Sequence, residues 1–300
     1  MASPVSDIRE ERRGAVAWIT FDRPAARNSF TKAMYADLRE LCGRLAADDA
    51  ARVVVFQGRG DDAFVAGSDI ASVGEIRTRE DAQAYEAHVE ATLGAVERLP
   101  KPTIALIRGV AAGGGAALAL VCDIRVAAEN ARFGVPIART VGNTLSLLNV
   151  ARMVEVLGPA TTKELLFTAE LVDAPEAHRR GAVSAVLPLA EIERYVSDLA
   201  GSLAANAPLT LRTSKLAVLA SLDARRAALG PRNEIVAGQP PPLSGLTACP
   251  KSDGAPGGAD RIGSTTLRAS GAPPFRRAHA DRGRCEAGMA RACRPPRGAS

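Results

Sequence analysis

Short runs of apolar residues recur along the first two thirds of the chain, each of a length typical of a strand. The runs are rich in Val, Ile and Ala and are bounded by polar or turn-forming residues. Continuous apolar runs of this kind suit strands that are covered on both faces. The pattern predicts strands over 15–21, 52–57, 103–107, 123–127 and 183–187.

Between these runs, apolar side chains follow helical spacing. After Asn28 or Ser29, either of which can cap a helix, they recur every three or four residues, at Phe30, Met34, Leu38, Leu41 and Leu45. Further helices are predicted over 80–99, 144–156, 159–168, 175–180 and 189–205. Because strands alternate with helices, the sequence predicts an α/β fold.

Charge and composition divide the chain near residue 230. The net charge is +5, but residues 231–300 hold 11 Lys and Arg against 5 Asp and Glu, so the first 230 residues are nearly neutral. The last 70 residues also contain 10 Gly and 10 Pro with few large apolar side chains, a composition typical of disorder. We therefore predict a folded domain over 1–230 and a Gly/Pro/Arg-rich disordered tail over 231–300. Two interpretations of the tail stay open: an out-of-frame reading of a GC-rich gene, or a natural extension.

The same counts exclude several classes of function. A near-neutral folded part argues against specific nucleic-acid binding. The longest apolar stretch, 110–122, is too short to span a membrane, and charged residues precede any apolar run at the N-terminus. Five cysteines lack a C-x-x-C pair and three histidines lack metal-ligand spacing, so no metal site is expected. We expect a cytoplasmic protein.

Three consecutive glycines, Gly113–Gly115, stand where a predicted strand passes into an Ala/Leu-rich helix. They fit either close packing of the helix on a sheet or a backbone that approaches a ligand with free N–H groups. The third glycine of a dinucleotide fingerprint is replaced by Leu118, and neither a phosphate-binding loop nor a G-x-S-x-G elbow occurs.

Six separated motifs together resemble the enoyl-CoA hydratase/isomerase (crotonase) family, over about residues 10–220. They are Arg23-Pro24 with Asn28, Ala66-Gly67-Ser68-Asp69-Ile70, Lys101-Pro102-Thr103-Ile104-Ala105, Gly109 through Gly115 with Cys122-Asp123-Ile124, Phe133-Gly134-Val135-Pro136, and Gly158-Pro159-Ala160 with Lys163-Glu164-Leu165-Leu166. The resemblance implies a crotonase-like fold of repeated ββα units with a helical C-terminal part, here incomplete.

The resemblance also implies a chemistry and a set of site residues. The backbone N–H groups of Ser68 and Gly114 would hold the carbonyl oxygen of an acyl-CoA thioester and stabilise its enolate. Substrate-binding positions would be Arg27, Ala66, Gly67, Asp69, Ile70, Gly113 and Pro136. Asp69 is interpreted as organising its turn, and Arg27 as either a CoA-phosphate ligand or a solvated surface residue. Coenzyme A would enter as part of the substrate, with no separate cofactor, and the chain would form a homotrimer or a dimer of trimers.

The sequence departs from the hydratase pattern at the two positions where the family's hydratases carry glutamates. These positions are Ala117 and Ile137, and neither side chain can transfer a proton. General acids and bases each contribute about 10²–10⁴-fold in rate, so ordinary hydration is expected to be weak. Arg139 and Asn143 are candidates to bind a polar acyl group, a second carboxylate or a water; the alternative interpretation of Asn143 is a cap of the next helix.

Two further interpretations complete the prediction. His88 is interpreted as a partly exposed helix residue and Tyr85 as a packing residue, on a helix that in this family flanks the acyl pocket. The alternative to an enzyme is a non-catalytic acyl-CoA-binding or subunit-partner protein on the same scaffold.

Overall fold

A computed structural model describes residues 7–69, 74, 76–140 and 145–227 of the chain. Ile70, Asn143 and the predicted tail 231–300 lie outside the described residues. The described residues confirm the predicted α/β class, because their parallel strands alternate with helices.

In the part of the chain that the structure describes, ten strands form two sheets. The strands are β1 (Ile8–Arg13), β2 (Val16–Phe21), β3 (Val53–Gly58), β4 (Ala63–Val65), β5 (Thr103–Ile107), β6 (Val110–Ala112), β7 (Ile124–Ala128), β8 (Arg132–Gly134), β9 (Val172–Asp173) and β10 (Ala185–Leu187). Among the described residues one sheet runs β1-β2-β3-β5-β7-β10 and the other β4-β6-β8-β9. All pairings are parallel except β1 with β2 and β8 with β9.

The helices are α1 (Lys32–Ala47), α2 (Arg79–Glu97), α3 (Gly114–Val121), α4 (Ile137–Thr140), α5 (Leu147–Thr168), α6 (Ala174–Arg179), α7 (Ile192–Ala205) and α8 (Pro208–Ala227). A 3₁₀ turn, Pro24–Ala26, precedes α1. The predicted break between the helices over 144–156 and 159–168 is present inside α5, where Gly158 has a φ of 74° and Pro159 follows.

The repeated ββα unit implied by the resemblance is visible in the order of elements. In the pairs β3–β4, β5–β6 and β7–β8, the first strand joins the six-stranded sheet, the second joins the four-stranded sheet, and a helix follows. At most two residues separate the second strands β6 and β8 from the helix that follows each of them.

Two hydrophobic clusters cover the two faces of the six-stranded sheet. The larger cluster joins alternate residues of its strands, such as Ile19 and Phe56, to α1, α2 and α3. The smaller cluster packs the opposite side chains, such as Trp18 and Val55, under Ile192 of α7. Burial on both faces explains why these strands are continuous apolar runs.

Some predicted boundaries were wrong, and five strands were missed. β1 has the sequence IREERR and lies exposed beside β2, so no apolar pattern marks it. The strands of the four-stranded sheet have two or three residues each, too few for a recognisable period. The helix predicted to begin at residue 189 begins at Ile192.

Candidate active site

The segment after β4 is pinned to the loop that precedes α1. Phe30 donates its backbone N–H to the Gly67 carbonyl at 2.9 Å, and the Asp69 N–H donates to the Phe30 carbonyl at 2.8 Å. Since successive N–H groups of an extended segment point to opposite sides, the N–H of Ser68 points away from Phe30. Within the described residues it donates to no protein acceptor.

Two polar side chains hold this pair of loops in place. Asn28 is buried, accepts from the Arg23 N–H at 3.0 Å, and donates to the carbonyls of Arg59 and Ala63 at 3.1 and 2.7 Å. The Arg23 guanidinium bonds one oxygen of the Asp69 carboxylate at 3.1 Å. This contact agrees with the interpretation of Asp69 as a residue that organises its turn.

Each of the three glycines meets a different requirement. Gly113 has a φ of 52°, in the left-handed region that favours glycine, and its N–H donates to the Gly134 carbonyl at 3.0 Å. A Cβ on Gly115 would lie 1.9 Å from the carbonyl oxygen of Val65, so this glycine serves close packing of α3 on β4. Close packing, one of the two sequence interpretations of the run, therefore applies at Gly115, and the approach to a ligand stays a prediction.

Gly114 is the first residue of α3 and lies beside Ser68. A Cβ on Gly114 would be 3.6 Å from the Ser68 backbone nitrogen and 3.3 Å from its Oγ. The N–H at the first position of a helix has no acceptor within the helix, and it carries the positive end of the helix dipole. The structure thus brings Ser68 and Gly114 together from segments about 45 residues apart in the chain.

Two tyrosines whose role was not predicted from the sequence reach the same place. Tyr35, in the first turn of α1, is buried, and its hydroxyl lies 3.0 Å from Ser68 Oγ. Burial raises its pKa, so the phenol stays protonated. Burial also raises the pKa of Tyr85 on α2, whose hydroxyl oxygen is buried without a hydrogen-bond partner in the described part of the chain. At neither helix position does a sequence pattern distinguish a functional hydroxyl from packing.

The two positions at which the resemblance implies glutamates, Ala117 and Ile137, both lie in apolar surroundings. Ala117 lies in the first turn of α3 and is buried, with its N–H donating to the Gly113 carbonyl at 3.0 Å. Ile137 begins α4 and packs against the larger hydrophobic cluster. Neither position supplies a group that transfers a proton.

Arg139 does not join Ser68 and Gly114. It is exposed, donates to the Thr168 carbonyl at 2.8 Å, and lies 4.0 Å from a carboxylate oxygen of Glu170. It lines a surface depression together with Pro136. The Arg27 side chain is also exposed, while the Arg27 carbonyl accepts from the Ala66 N–H at 3.1 Å. Arg27 therefore helps to fix the turn through its backbone.

Acidic residues on α2 line the side that faces α5. Glu90 accepts from Ser146 Oγ at 2.6 Å and from the buried Arg152 at 2.9 Å. Burial raises the pKa of Glu86, one turn earlier, and the Glu90 carboxylate raises it further. The Nε2 of His88 lies 3.0 Å from the Lys32 carbonyl oxygen, so the half-buried His88 links α2 to α1.

A search of the described residues finds no group of three His, Cys, Asp or Glu side chains that could hold a metal ion. In the same residues, every helix is too short or too polar to cross a membrane.

The fold consists of two sheets built from ββα units, and Ser68 lies beside Gly114, the first residue of α3. These features are typical of the crotonase class of proteins. The profile of the family described as "Enoyl-CoA hydratase/isomerase" matches residues 11–233. The chain belongs to the enoyl-CoA hydratase/isomerase family, also called the crotonase family.

Individual relatives agree with this assignment. The chain is 34% identical over 214 residues to the short-chain-enoyl-CoA hydratase of Clostridium acetobutylicum, a match that covers 71% of this chain and 81% of the relative. It is 33% identical to the (E)-benzylidenesuccinyl-CoA hydratase of Thauera aromatica, over 69% of this chain and 80% of that one.

Solved structures are similar to this one at the level of the whole domain. An enoyl-CoA hydratase/carnithine racemase from Magnetospirillum magneticum superposes with a TM-score of 0.70 at 35% identity, covering 73% of this chain and 82% of that one. A monofunctional enoyl CoA isomerase from M. smegmatis gives a TM-score of 0.61 at 30% identity, covering 72% and 93% of the two chains.

Proposed function

We propose that this protein binds an acyl-CoA thioester and stabilises its enolate between the backbone N–H groups of Ser68 and Gly114. The observation that carries the proposal is the juxtaposition of the two residues: the Ser68 nitrogen lies 3.6 Å from the Cβ position of Gly114. Within the described residues, no backbone carbonyl outside the helices and strands accepts a hydrogen bond from either N–H. In this proposal both donors face the ligand.

The chemistry follows from where charge develops. Removing a proton from the α-carbon of a thioester places negative charge on the carbonyl oxygen. Two donors fixed by the backbone stabilise that charge without reorganising, and each such donor is worth about 10²–10³ in rate. The dipole of α3 adds a favourable field at its first residue.

The surrounding turn positions the thioester. In this proposal the CoA moiety is bordered by Ala66, Gly67, Asp69 and Ile70. Gly113 turns the backbone so that the N–H of the next residue faces the substrate. Pro136 precedes α4 at the edge of the acyl site. Arg27 offers an exposed cation for the CoA phosphates.

The reaction is of the lyase or isomerase type found in this family, and ordinary hydration is weak. The apolar environments of Ala117 and Ile137 support this part of the proposal, because neither can activate water or protonate the α-carbon. The same enolate-stabilising frame leaves open a different lyase, isomerase or hydrolase reaction that uses groups from residues 137–146. The protein acts in the cytoplasm as a homotrimer or a dimer of trimers.

The same two apolar positions favour a second candidate function. A chain that keeps the paired amides but lacks both proton-transfer groups can serve as a non-catalytic acyl-CoA-binding protein or as a subunit partner. Both candidate functions predict that the protein binds acyl-CoA, but only the enzyme is expected to turn it over.

Calorimetric titration and turnover assays with a panel of CoA esters test both candidates. The panel includes crotonyl-CoA, 3-enoyl-CoA isomers, butyryl-CoA and free CoA. Binding of the esters together with turnover of at least one supports the enzyme. Binding without turnover supports the non-catalytic protein, and failure of every ester to bind more tightly than free CoA rejects the proposed thioester site.

A further inference from the structure

Three hydroxyl groups from separate segments lie close together, and two of them adjoin Gly114. We call them the hydroxyl cluster: Tyr35 of α1, Ser68 of the segment after β4, and Tyr85 of α2. The Tyr35 and Ser68 hydroxyls lie 3.0 Å apart and satisfy each other. The Tyr85 hydroxyl oxygen is buried and has no hydrogen-bond partner in the described residues.

Tyr85 nevertheless lies next to the other two hydroxyls. Burial raises the pKa of Tyr85. The hydroxyls of Ser68 and Tyr35 lie close enough to lower this pKa by a smaller amount. Neither forms a hydrogen bond of acceptable geometry with it. The Tyr85 hydroxyl is therefore the unsatisfied end of the hydroxyl cluster.

The cluster adjoins the amide donors directly. A Cβ on Gly114 would lie 2.6 Å from Tyr35 Oη and 3.3 Å from Ser68 Oγ. Tyr35 cannot move away easily, since it is buried, and Thr92 of α2 donates to its backbone carbonyl at 2.8 Å. This α1–α2 hydrogen bond holds Tyr35 at the start of α3, and Tyr85 of α2 lies close to the hydroxyls of Tyr35 and Ser68.

A buried hydroxyl without a partner is costly, and native proteins rarely leave one unless a ligand or water supplies it. We propose that the Tyr85 hydroxyl donates a hydrogen bond to the thioester carbonyl oxygen of an acyl-CoA bound at Ser68 and Gly114, as a third donor beside the two amides. This inference rests on the proposed function. No bond is made or broken at Tyr85, because the phenol keeps its proton throughout.

The raised pKa suits this role. A phenol that stays neutral across the physiological range is a permanent donor and a poor general base. A third donor also suits a chain with Ala117 and Ile137 in place of the two glutamates, since it strengthens enolate stabilisation without needing either carboxylate.

The test compares Tyr85→Phe with Tyr195→Phe, which changes an exposed tyrosine on α7. Butyryl-CoA labelled with ¹³C at the thioester carbonyl is bound to each full-length protein, and the carbonyl stretch is read by difference infrared spectroscopy. Hydrogen bonds to the oxygen lower this frequency. We expect the lowering in the wild type and in Tyr195→Phe to be larger than in Tyr85→Phe.

Affinity gives a second readout. The Kd of butyryl-CoA should rise about tenfold in Tyr85→Phe, while the Kd of free CoA, which has no thioester carbonyl, should not change. Without ligand, Tyr85→Phe should unfold at the same temperature as the wild type or higher, because the removed hydroxyl has no partner to lose.

The outcomes separate this inference from the proposed function. If butyryl-CoA binds the wild type with a lowered carbonyl frequency, and Tyr85→Phe gives the same frequency and Kd, the role of Tyr85 is refuted while the amide pair stands. If Tyr85→Phe unfolds at a lower temperature without ligand, the hydroxyl serves the fold and the inference fails. If the wild type binds butyryl-CoA no more tightly than free CoA, the proposed function itself fails.

Discussion

A Cβ atom on Gly114 would lie 2.6 Å from the hydroxyl oxygen of Tyr35. The absence of a side chain at the first residue of α3 is thus what allows the Tyr35 hydroxyl to approach Ser68. The position is therefore crowded on the side of the Tyr35 hydroxyl. This relation yields the first prediction.

Gly114→Ala should destabilise the protein by about 1–3 kcal/mol, because the new methyl group overlaps the Tyr35 hydroxyl. In a Tyr35→Phe background the same change should cost less, since the overlapping oxygen is gone. Urea unfolding of the two single variants and the double variant measures this coupling. An equal cost of Gly114→Ala in both backgrounds would contradict the crowding.

Gly201→Ala is the matched control for that cycle. Gly201 lies within α7 and has no atom within 4 Å of its Cβ position. Replacing an open helical glycine by alanine should stabilise the protein by about 0.5–1 kcal/mol. The same substitution therefore has opposite signs at the two positions.

Installing the two glutamates should create hydratase activity. The double variant Ala117→Glu, Ile137→Glu should hydrate crotonyl-CoA about 10²-fold faster than the parent, because it gains an acid and a base. The matched control replaces both residues by glutamine, which has the same shape and no transferable proton. Steady-state hydration kinetics decide: a fast parent, or equal rates in the two double variants, would overturn the account of the missing bases.

Asn28 should be essential to the turn that carries Ser68. Its buried side chain bonds three backbone groups, and its φ of 55° is left-handed. Asn28→Ala should lower the free energy of unfolding by about 2–4 kcal/mol through the lost bonds and the strained backbone. Asn28→Gly should cost about 1 kcal/mol less, since glycine adopts this φ freely. Urea unfolding measures both, and equal losses would show that the backbone conformation contributes nothing.

Glu97 should make stability fall in acid. Its buried carboxylate accepts from Arg152 and Arg226, each at 2.9 Å. Burial by itself raises the pKa of Glu97, but the two guanidinium groups outweigh burial and hold the pKa below 4.5. Because the folded pKa lies below the unfolded value, the ionised carboxylate contributes stability above about pH 4.5, and this contribution is lost as the pH falls through the folded pKa.

Glu97→Gln should therefore lower the free energy of unfolding at pH 7 by about 3 kcal/mol and flatten its decline below about pH 4.5. Urea unfolding across this range measures both effects. Curves that stay parallel to the wild type would show that Glu97 does not contribute to the acid sensitivity.

Local patterns were sufficient to predict much of the fold. The break at Gly158 and Pro159 and the buried runs of β3 and β5 follow from residues close together in the chain. The exposed edge strand β1 and the three-residue strands did not, because pairing with neighbours, and not their own apolar pattern, makes them strands. Arg139 likewise looked like a pocket residue in the sequence, and its carbonyl and carboxylate neighbours near residue 170 draw it to the surface.

The sequence by itself determined the α/β class, the family resemblance, the glycine run and the apolar residues at 117 and 137, because each depends on residue identity and short spacing. Only the tertiary structure decided which glycine packs, which one turns and which one faces Ser68. It alone brought the hydroxyls of Tyr35 and Tyr85 close to the hydroxyl of Ser68, from helices that are far apart in the chain. Contacts between such distant segments depend on how the two sheets and their helices pack. No local pattern of residues encodes the distance between two side chains on different helices.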